Sequence, residues 1–420
     1  MTSIQSVLAA FGIILVDLAG RAGLDKVLAL AGDPTMVAQW AQLQSVVELV
    51  SGVALAGVLQ GLTILITRAR GSSEERNLLS AALKLGMVTS LAVALSLLLM
   101  AGYIRGDFNI DLFILAALAG CIAVIPATLN AYWLGKHQQQ RMLGLALLSS
   151  SVLILVAAGA WIGLSLRGLI QVQCFVLAII GSVIWHYLGK LSGRKQSQTG
   201  ASPEVDSTNL QRLMNFVPVG LAIGIMSPVS MLLIRSTLAD SLSWSEVGFL
   251  QALWRSTEWV TATSAGVLSL VFLPRFSATY GTDRFRHEMN RAGVMVLIPA
   301  ACLLLLIYFN QRTLLAILYD ARFEVSDATA ALFILGCWIR IASWLFLFGL
   351  FAAHRTRLII AGEVLSLPLY ELLLWLFADG MTLERSALLY LASYLAYLCF
   401  NAIALRYSSR DSTSAGHEAG

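Results

Sequence analysis

Apolar runs of about 20 residues follow one another along the whole chain, each long enough as a helix to cross a hydrocarbon layer about 30 Å thick. Each run is closed by a polar break. The pattern predicts an all-α polytopic membrane protein, with helices near residues 4–31, 36–66, 78–102, 110–134, 141–162, 168–189, 213–238, 246–273, 288–309, 327–353, 357–378 and 384–406. No stretch reads as a separate soluble domain. The first run begins almost at Met1, lacks a basic leader, and contains Asp17, Arg21, Asp25 and Lys26, so it is expected to be a retained helix.

The breaks alternate in charge. One set carries Arg68, Arg70, Arg76, Lys136, Arg141, Lys190, Arg275, Arg284, Arg355 and Arg406, among others, whereas the other holds only Arg105, Arg167, Arg312, Arg322 and Arg385. Basic residues gather on the cytoplasmic side, so both termini are expected there. The longest break, residues 190–212, is rich in Ser, Gly, Gln and Thr and falls halfway along the chain. The expected organisation is a six-helix bundle at 1–189, a cytoplasmic linker at 190–212, a second six-helix bundle at 213–406 and a polar cytoplasmic tail at 407–420. Gln44, Glu48 and Arg68 have the same spacing as Gln251, Arg255 and Arg275, each set in the second helix of its half. Two pseudosymmetric bundles of this kind are a common way to build an alternating-access transporter.

Composition agrees: 58% of residues are hydrophobic and 12% charged, against roughly 25% charged in a soluble domain. A formal net charge of +4 gives no reason to expect nucleic acid as a partner. The five cysteines lie singly in apolar runs, which favours small buried hydrophobes over disulfides or zinc. No P-loop, G-x-S-x-G, H-E-x-x-H or dinucleotide fingerprint occurs, so neither an ATP-driven pump nor a hydrolase is expected, and no metal or other cofactor.

The informative residues are charges inside the apolar runs, each of which costs about 2.5–3.5 kcal/mol to insert at mid-membrane. Asp17, Arg21 and Asp25 recur at i, i+4, i+8 on one face of the first helix, with Lys26 beside them. Gln44 and Glu48 share a face of the second helix, and Gln251, Arg255 and Glu258 a face of the eighth. Arg235, Arg340, Glu363 and Glu371 complete the set. Lys26 and Arg235 are near enough to helix ends to snorkel, and Asp17 with Arg21, or Arg255 with Glu258, suit intrahelical ion pairs. Arg255, Arg340, Glu48 and Glu371 lie deepest. Pro126, Pro218, Pro228, Pro299 and Pro368 suit helices that bend.

A cavity rich in arginine suits a substrate with an anionic head, since guanidinium forks match phosphate oxygens. Arg21, Lys26, Arg235, Arg255, Arg340, Gln44 and Gln251 are the candidate substrate contacts. Asp17, Asp25, Glu48, Glu258, Glu363 and Glu371 are the candidates for a coupling proton or sodium ion. On physical grounds alone the substrate is an anionic amphiphile or an organic ion.

The stretch from Ser243 to Ser277 narrows this. Trp244, Glu246, Val247, Gly248 and Gln251, followed by Leu273 and Pro274 before a basic loop, resemble the corresponding region of Wzx-type polysaccharide flippases, especially the enterobacterial common antigen lipid III flippases. Lys26 and Leu28 ahead of Gly32, and Ala361, Glu363 and Val364, resemble further family segments. Asp17 departs from the pattern, standing where a basic residue is expected. The resemblance implies the multidrug/oligosaccharidyl-lipid/polysaccharide exporter fold in the bacterial inner membrane. It also implies movement of undecaprenyl-pyrophosphate-linked glycan to the periplasmic leaflet, as in O-antigen, lipopolysaccharide and common-antigen biosynthesis, with a glycan polymerase and chain-length regulator as partners alongside membrane lipids. The rivals are a drug or organic-cation antiporter of the same superfamily and, from another class, a membrane-embedded polymerase or glycosyltransferase.

Overall fold

The computed structural model describes residue 16 and residues 19–69, 71–100, 110–136, 138–196, 211, 213–214 and 226–417. All regular structure among them is helical. We number the helices α1 (residues 19–31), α2 (Pro34–Ala54), α3 (Val58–Arg68), α4 (Ser72–Met100), α5 (Ile110–Gly135), α6 (Gln139–Trp161), α7 (Leu166–Gln196) and α8 (Met226–Ser241). Then follow α9 (Trp244–Val267), a π turn (Leu268–Phe272), α10 (Leu273–Thr279), α11 (Asp283–Phe309), α12 (Gln311–Leu318), α13 (Asp327–Ala352), α14 (Thr356–Val364), α15 (Leu367–Leu376) and α16 (Leu383–His417). Nine helical spans among the described residues are long and apolar enough to cross a membrane, and α2 with α3 makes a tenth as one bent span. The first and seventh predicted helices lie partly outside the described residues, so a total of twelve fits this multi-pass membrane protein. Spanning helices expose large apolar side chains outward, Leu99 at 81% and Phe175 at 69%, as a surface solvated by lipid tails requires.

Short-range chemistry explains the helix starts. Asp33 accepts a bond from the Met36 amide at 2.9 Å, and Pro34 occupies the first turn, where its missing N–H costs nothing. Ser243 accepts from the Glu246 amide at 3.2 Å and donates its hydroxyl to the Glu246 carboxylate, an N-cap that starts α9. Ser326 caps α13 by accepting from the Thr329 amide.

Three predicted helices are not the smooth rods that apolar periodicity implied. The second breaks at Leu55–Gly57, where α2 and α3 meet at 47°. Gly57 sits at φ 74, a left-handed conformation that a side chain disfavours. The Ala54 carbonyl near the break is satisfied by the Thr89 hydroxyl of α4 at 2.9 Å, which lets a broken helix survive in lipid. The eighth runs from Trp244 to Thr279, longer than predicted, and passes through the π turn just before Pro274, a residue that cannot donate to the preceding turn. The eleventh is interrupted at Leu365 and Ser366 ahead of Pro368, and Ser366 caps the Glu363 carbonyl at 2.6 Å. Pro126 and Pro299 lie inside α5 and α11; Pro218 lies outside the described residues. Residues 190–196 continue α7, and the expected polar tail is helical through His417. Cys302 and Cys399 are exposed, against the expectation of burial.

The chain divides into two compact units, Met1–Leu232 and Leu233–Gly420. In the first, α5 packs against α2, α3, α4 and α7. Gly120 lets α5 approach α2 so closely that a Cβ there would lie 2.7 Å from Val50, the small-residue contact by which helices associate in lipid. Val58, Leu62 and Ile66 interlock with Leu78, Leu79 and Ala82. In the second unit α13 packs along α16. Its centre is aromatic: Tyr390, fully buried, stacks on Phe333 at 4.6 Å and meets Trp254 and Tyr370 edge-on.

Candidate functional site

In the first unit, Arg21 reaches across to the second helix and pairs with Glu48 at 3.4 Å, with side chains 36% and 55% exposed. Asp17 lies outside the described residues. Asp25 is buried and Lys26 half-buried. Gln44 does not join Glu48. It exchanges two amide bonds with Gln173 of α7, at 2.8 and 3.1 Å. Gln173 was not singled out from the sequence, although two amides at Gln171 and Gln173 in an otherwise apolar run are a readable signal.

In the second unit the charged residues are drawn inward. Arg235 is only 7% exposed, so it does not snorkel to the surface. Its Nε and Nη2 both donate to Gln251 Oε1, at 3.2 and 3.0 Å, a fork on a single oxygen that joins α8 to α9. Arg255 pairs with Glu258 one turn along its own helix, the intrahelical arrangement allowed by the spacing. Glu371 accepts from the Thr237 hydroxyl at 2.7 Å through Oε1, while its Oε2 is sealed from solvent with no hydrogen-bond partner among the described residues. Such an oxygen lacks the compensation a buried polar atom normally finds.

A tyrosine ladder organises the remainder. Tyr390, Tyr394 and Tyr397 recur at i, i+4, i+7 on one face of α16, and all are at most 2% exposed. The Arg340 guanidinium lies 4.7 Å from the Trp344 ring and 5.6 Å from that of Tyr394, an aromatic setting that stabilises a cation. One rung further, Tyr397 donates to Glu363 at 2.7 Å. Asn401 donates to Ser343 at 2.9 Å, and Cys337 contacts Thr257 and Tyr390. The i, i+4, i+7 tyrosine spacing was legible in the sequence; Thr237 and Trp344 carried no comparable signal. Among the described residues no three His, Cys, Asp or Glu side chains converge as metal ligands.

The predicted residues therefore form separate sets within each unit: Arg21 with Glu48 in the first, and Arg235 with Gln251, Arg255 with Glu258, Thr237 with Glu371, and the Arg340 to Glu363 ladder in the second. These arrangements hold charge inside a membrane protein by hydrogen bonding, pairing and aromatic contact.

The sequence matches no protein-family model and no curated protein. Solved structures do match over nearly the full length. An inward-facing MATE family multidrug resistance transporter of the MOP superfamily aligns with a TM-score of 0.68 and 11% identity, over 96% of this chain and 94% of that one. An outward-facing MATE family transporter aligns at 0.63 and 11%, over 97% and 96%. A MOP superfamily transporter from Pyrococcus furiosus, described as having a binding pocket of reversed polarity that suggests a different function, aligns at 0.61 and 12%, over 97% and 94%. With helices as its only regular structure among the described residues, the chain has the fold of MATE transporters of the MOP superfamily.

Proposed function

We propose that the chain is an alternating-access flippase that moves an undecaprenyl-pyrophosphate-linked oligosaccharide from the cytoplasmic to the periplasmic leaflet of a bacterial inner membrane. The observation that carries this reading is the retention of Arg235, Arg255 and Arg340 within one bundle of a transporter fold, each held by a partner that preserves its charge. Arginines kept charged inside a membrane are costly, and a pyrophosphate or acidic sugar supplies the negative charge that makes them useful. Arg21, Lys26, Gln44 and Gln251 extend the substrate contacts in this reading. Glu371, whose second oxygen is sealed with no hydrogen-bond partner among the described residues, is the leading candidate for a coupling proton or sodium ion, with Asp25, Glu48, Glu258 and Glu363 as further acidic groups. The excess of basic residues in alternate breaks supports cytoplasmic termini.

Multidrug antiport is the second reading, favoured by the fold neighbours and by the Trp254, Phe333 and Tyr390 cluster, since aromatic faces also attract organic cations. The deciding experiment reconstitutes the full chain in liposomes with undecaprenyl-pyrophosphate oligosaccharide. It scores lipid reaching the far leaflet with an impermeant glycosidase, with and without a proton or sodium gradient. Gradient-dependent movement that is lost in Arg255→Gln at unchanged protein abundance supports the flippase. Exchange of organic cations while the glycolipid stays in place assigns the protein to drug antiport.

A further inference from the structure

The first unit also has an open groove of about 360 Å³ that involves none of the candidate substrate or coupling residues discussed above. It lies where the end of α5 meets the start of α6 and the later turns of α7, with Leu129, Leu145 and Ile184 as its buried floor and Leu148 and Val183 as exposed walls. Its volume is at the small end of ligand pockets, roughly 300–1,000 Å³. That suits one hydrocarbon chain better than a whole two-chain lipid.

Two residues of α6 shape the groove. Gly144 lines it, and a Cβ added there would meet nothing within 4 Å. The glycine thus leaves space open at a helix-interior position where alanine would be better by about 0.5–1 kcal/mol. One turn earlier, exposed Arg141 is the only ionisable residue of the lining. The spanning segments begin at Gln140 and end at Gly135, so Arg141 stands at headgroup depth while the leucines below it stand among lipid tails. An arginine whose stem runs along apolar surface and whose head reaches the interface matches a phosphate joined to a hydrocarbon chain.

We propose that this groove binds an anionic phospholipid of the surrounding bilayer, one acyl chain beneath Gly144 and the phosphate on Arg141. The apolar lining admits no polar headgroup, and the charge at the rim selects for a net negative one. Phospholipid is the occupant because it surrounds the groove at all times. The assignment does not depend on what the protein transports.

The test uses the full chain in nanodiscs containing either phosphatidylglycerol or phosphatidylcholine with a photoreactive group on one acyl chain, and mapping of the labelled residues by mass spectrometry. Leu145, Leu148 and Val183 should be labelled about fivefold more by phosphatidylglycerol, the preference one basic residue confers near an anionic lipid. Arg141→Gln should bring the two lipids level. Gly144→Leu, which fills open space, should reduce labelling by both lipids with the melting temperature unchanged. Equal labelling by the two lipids in the unaltered protein overturns the proposal, as does undiminished labelling in Gly144→Leu. Loss of labelling on adding undecaprenyl phosphate at a small fraction of the phospholipid also overturns it, and assigns the groove to the tail of a transported lipid.

Discussion

The second spanning helix of each half carries polar residues at the same spacing, and the two units use them in opposite ways. In the first, Gln44 meets a neutral partner, Gln173, and Glu48 reaches an arginine on another helix. In the second, Gln251 receives the fork of a buried arginine, and the position matching Glu48 is Arg255, paired with an acid on its own helix. The breaks also differ: a bend at left-handed Gly57 in one, a π turn ahead of Pro274 in the other. The shared spacing therefore marks positions at which a membrane helix carries polarity in both units, with opposite charge at the second of them. The same spacing thus presents an acid in one unit and a base in the other.

The sharpest way to break the comparison is to remove the two glutamines. Gln251→Leu deletes the acceptor of two charged donors, bonds worth about 1.5–3 kcal/mol each, whereas Gln44→Leu deletes two neutral amide bonds worth about 0.5–1.5 kcal/mol each. Thermal unfolding of the purified protein should rank Gln251→Leu as the more damaging. Equal losses would mean that Arg235 is held by its surroundings and not by Gln251. The breaks give the next largest effect. Gly57→Ala places a side chain in the left-handed region at about 1–2 kcal/mol and should lower the melting temperature. Pro274→Ala should act the other way, restoring a backbone donor and raising hydrogen-exchange protection across Leu268–Phe272.

The helical, membrane-spanning architecture was largely legible because apolar run length is set by the thickness of the bilayer. The helix interruptions were less so. A glycine such as Gly57 in an apolar run has the same appearance whether it eases close packing, as Gly120 does, or takes a positive φ. Of the motif residues that carry the family resemblance, Glu246 accepts from the N-cap hydroxyl of Ser243 at the start of α9 and Gln251 binds Arg235. Part of that signal therefore records how a helix starts and how a bundle is tied together. Apart from Arg255 with Glu258, whose spacing allows a pair along one helix, the pairing of the charged residues could not be read in advance, because periodicity assigns a residue to a face of its own helix and says nothing of which helix lies opposite.

The basic ends of the bundles offer a smaller contrast. Lys136 bonds Glu75 at 2.6 Å, with the Tyr132 hydroxyl on the other carboxylate oxygen, while Arg275 and Glu288 stand 3.9 Å apart. Glu75→Gln should therefore cost more than Glu288→Gln. The hydrogen bond to Glu75 raises the Lys136 pKa above its usual 10.5. A raised pKa in the folded state means that the stabilisation is complete below about pH 10.4 and fades as pH climbs through the folded value. Melting curves of the unaltered protein and Glu75→Gln should thus be well separated at neutral pH and converge as pH rises through the raised Lys136 value; a constant gap would show that the glutamate acts through packing.

The smallest effect belongs to Arg21 and Glu48, and its size distinguishes a structural pair from a functional one. Both side chains are a third or more exposed, and pairs of that kind contribute about 0.2–1 kcal/mol, reduced further by salt. Arg21→Gln should shift the melting temperature only slightly, and raising salt should shrink even that difference. If the pair serves the proposed transport cycle, the same substitution should lower liposome transport at every salt concentration, because a contact to substrate phosphate is lost irrespective of how the resting pair is screened. Arg255→Gln provides the matched measurement in the other bundle. Loss of transport in both would show the two halves acting on one substrate, whereas loss in Arg255→Gln alone would confine recognition to the second unit and leave Arg21 as a surface ion pair.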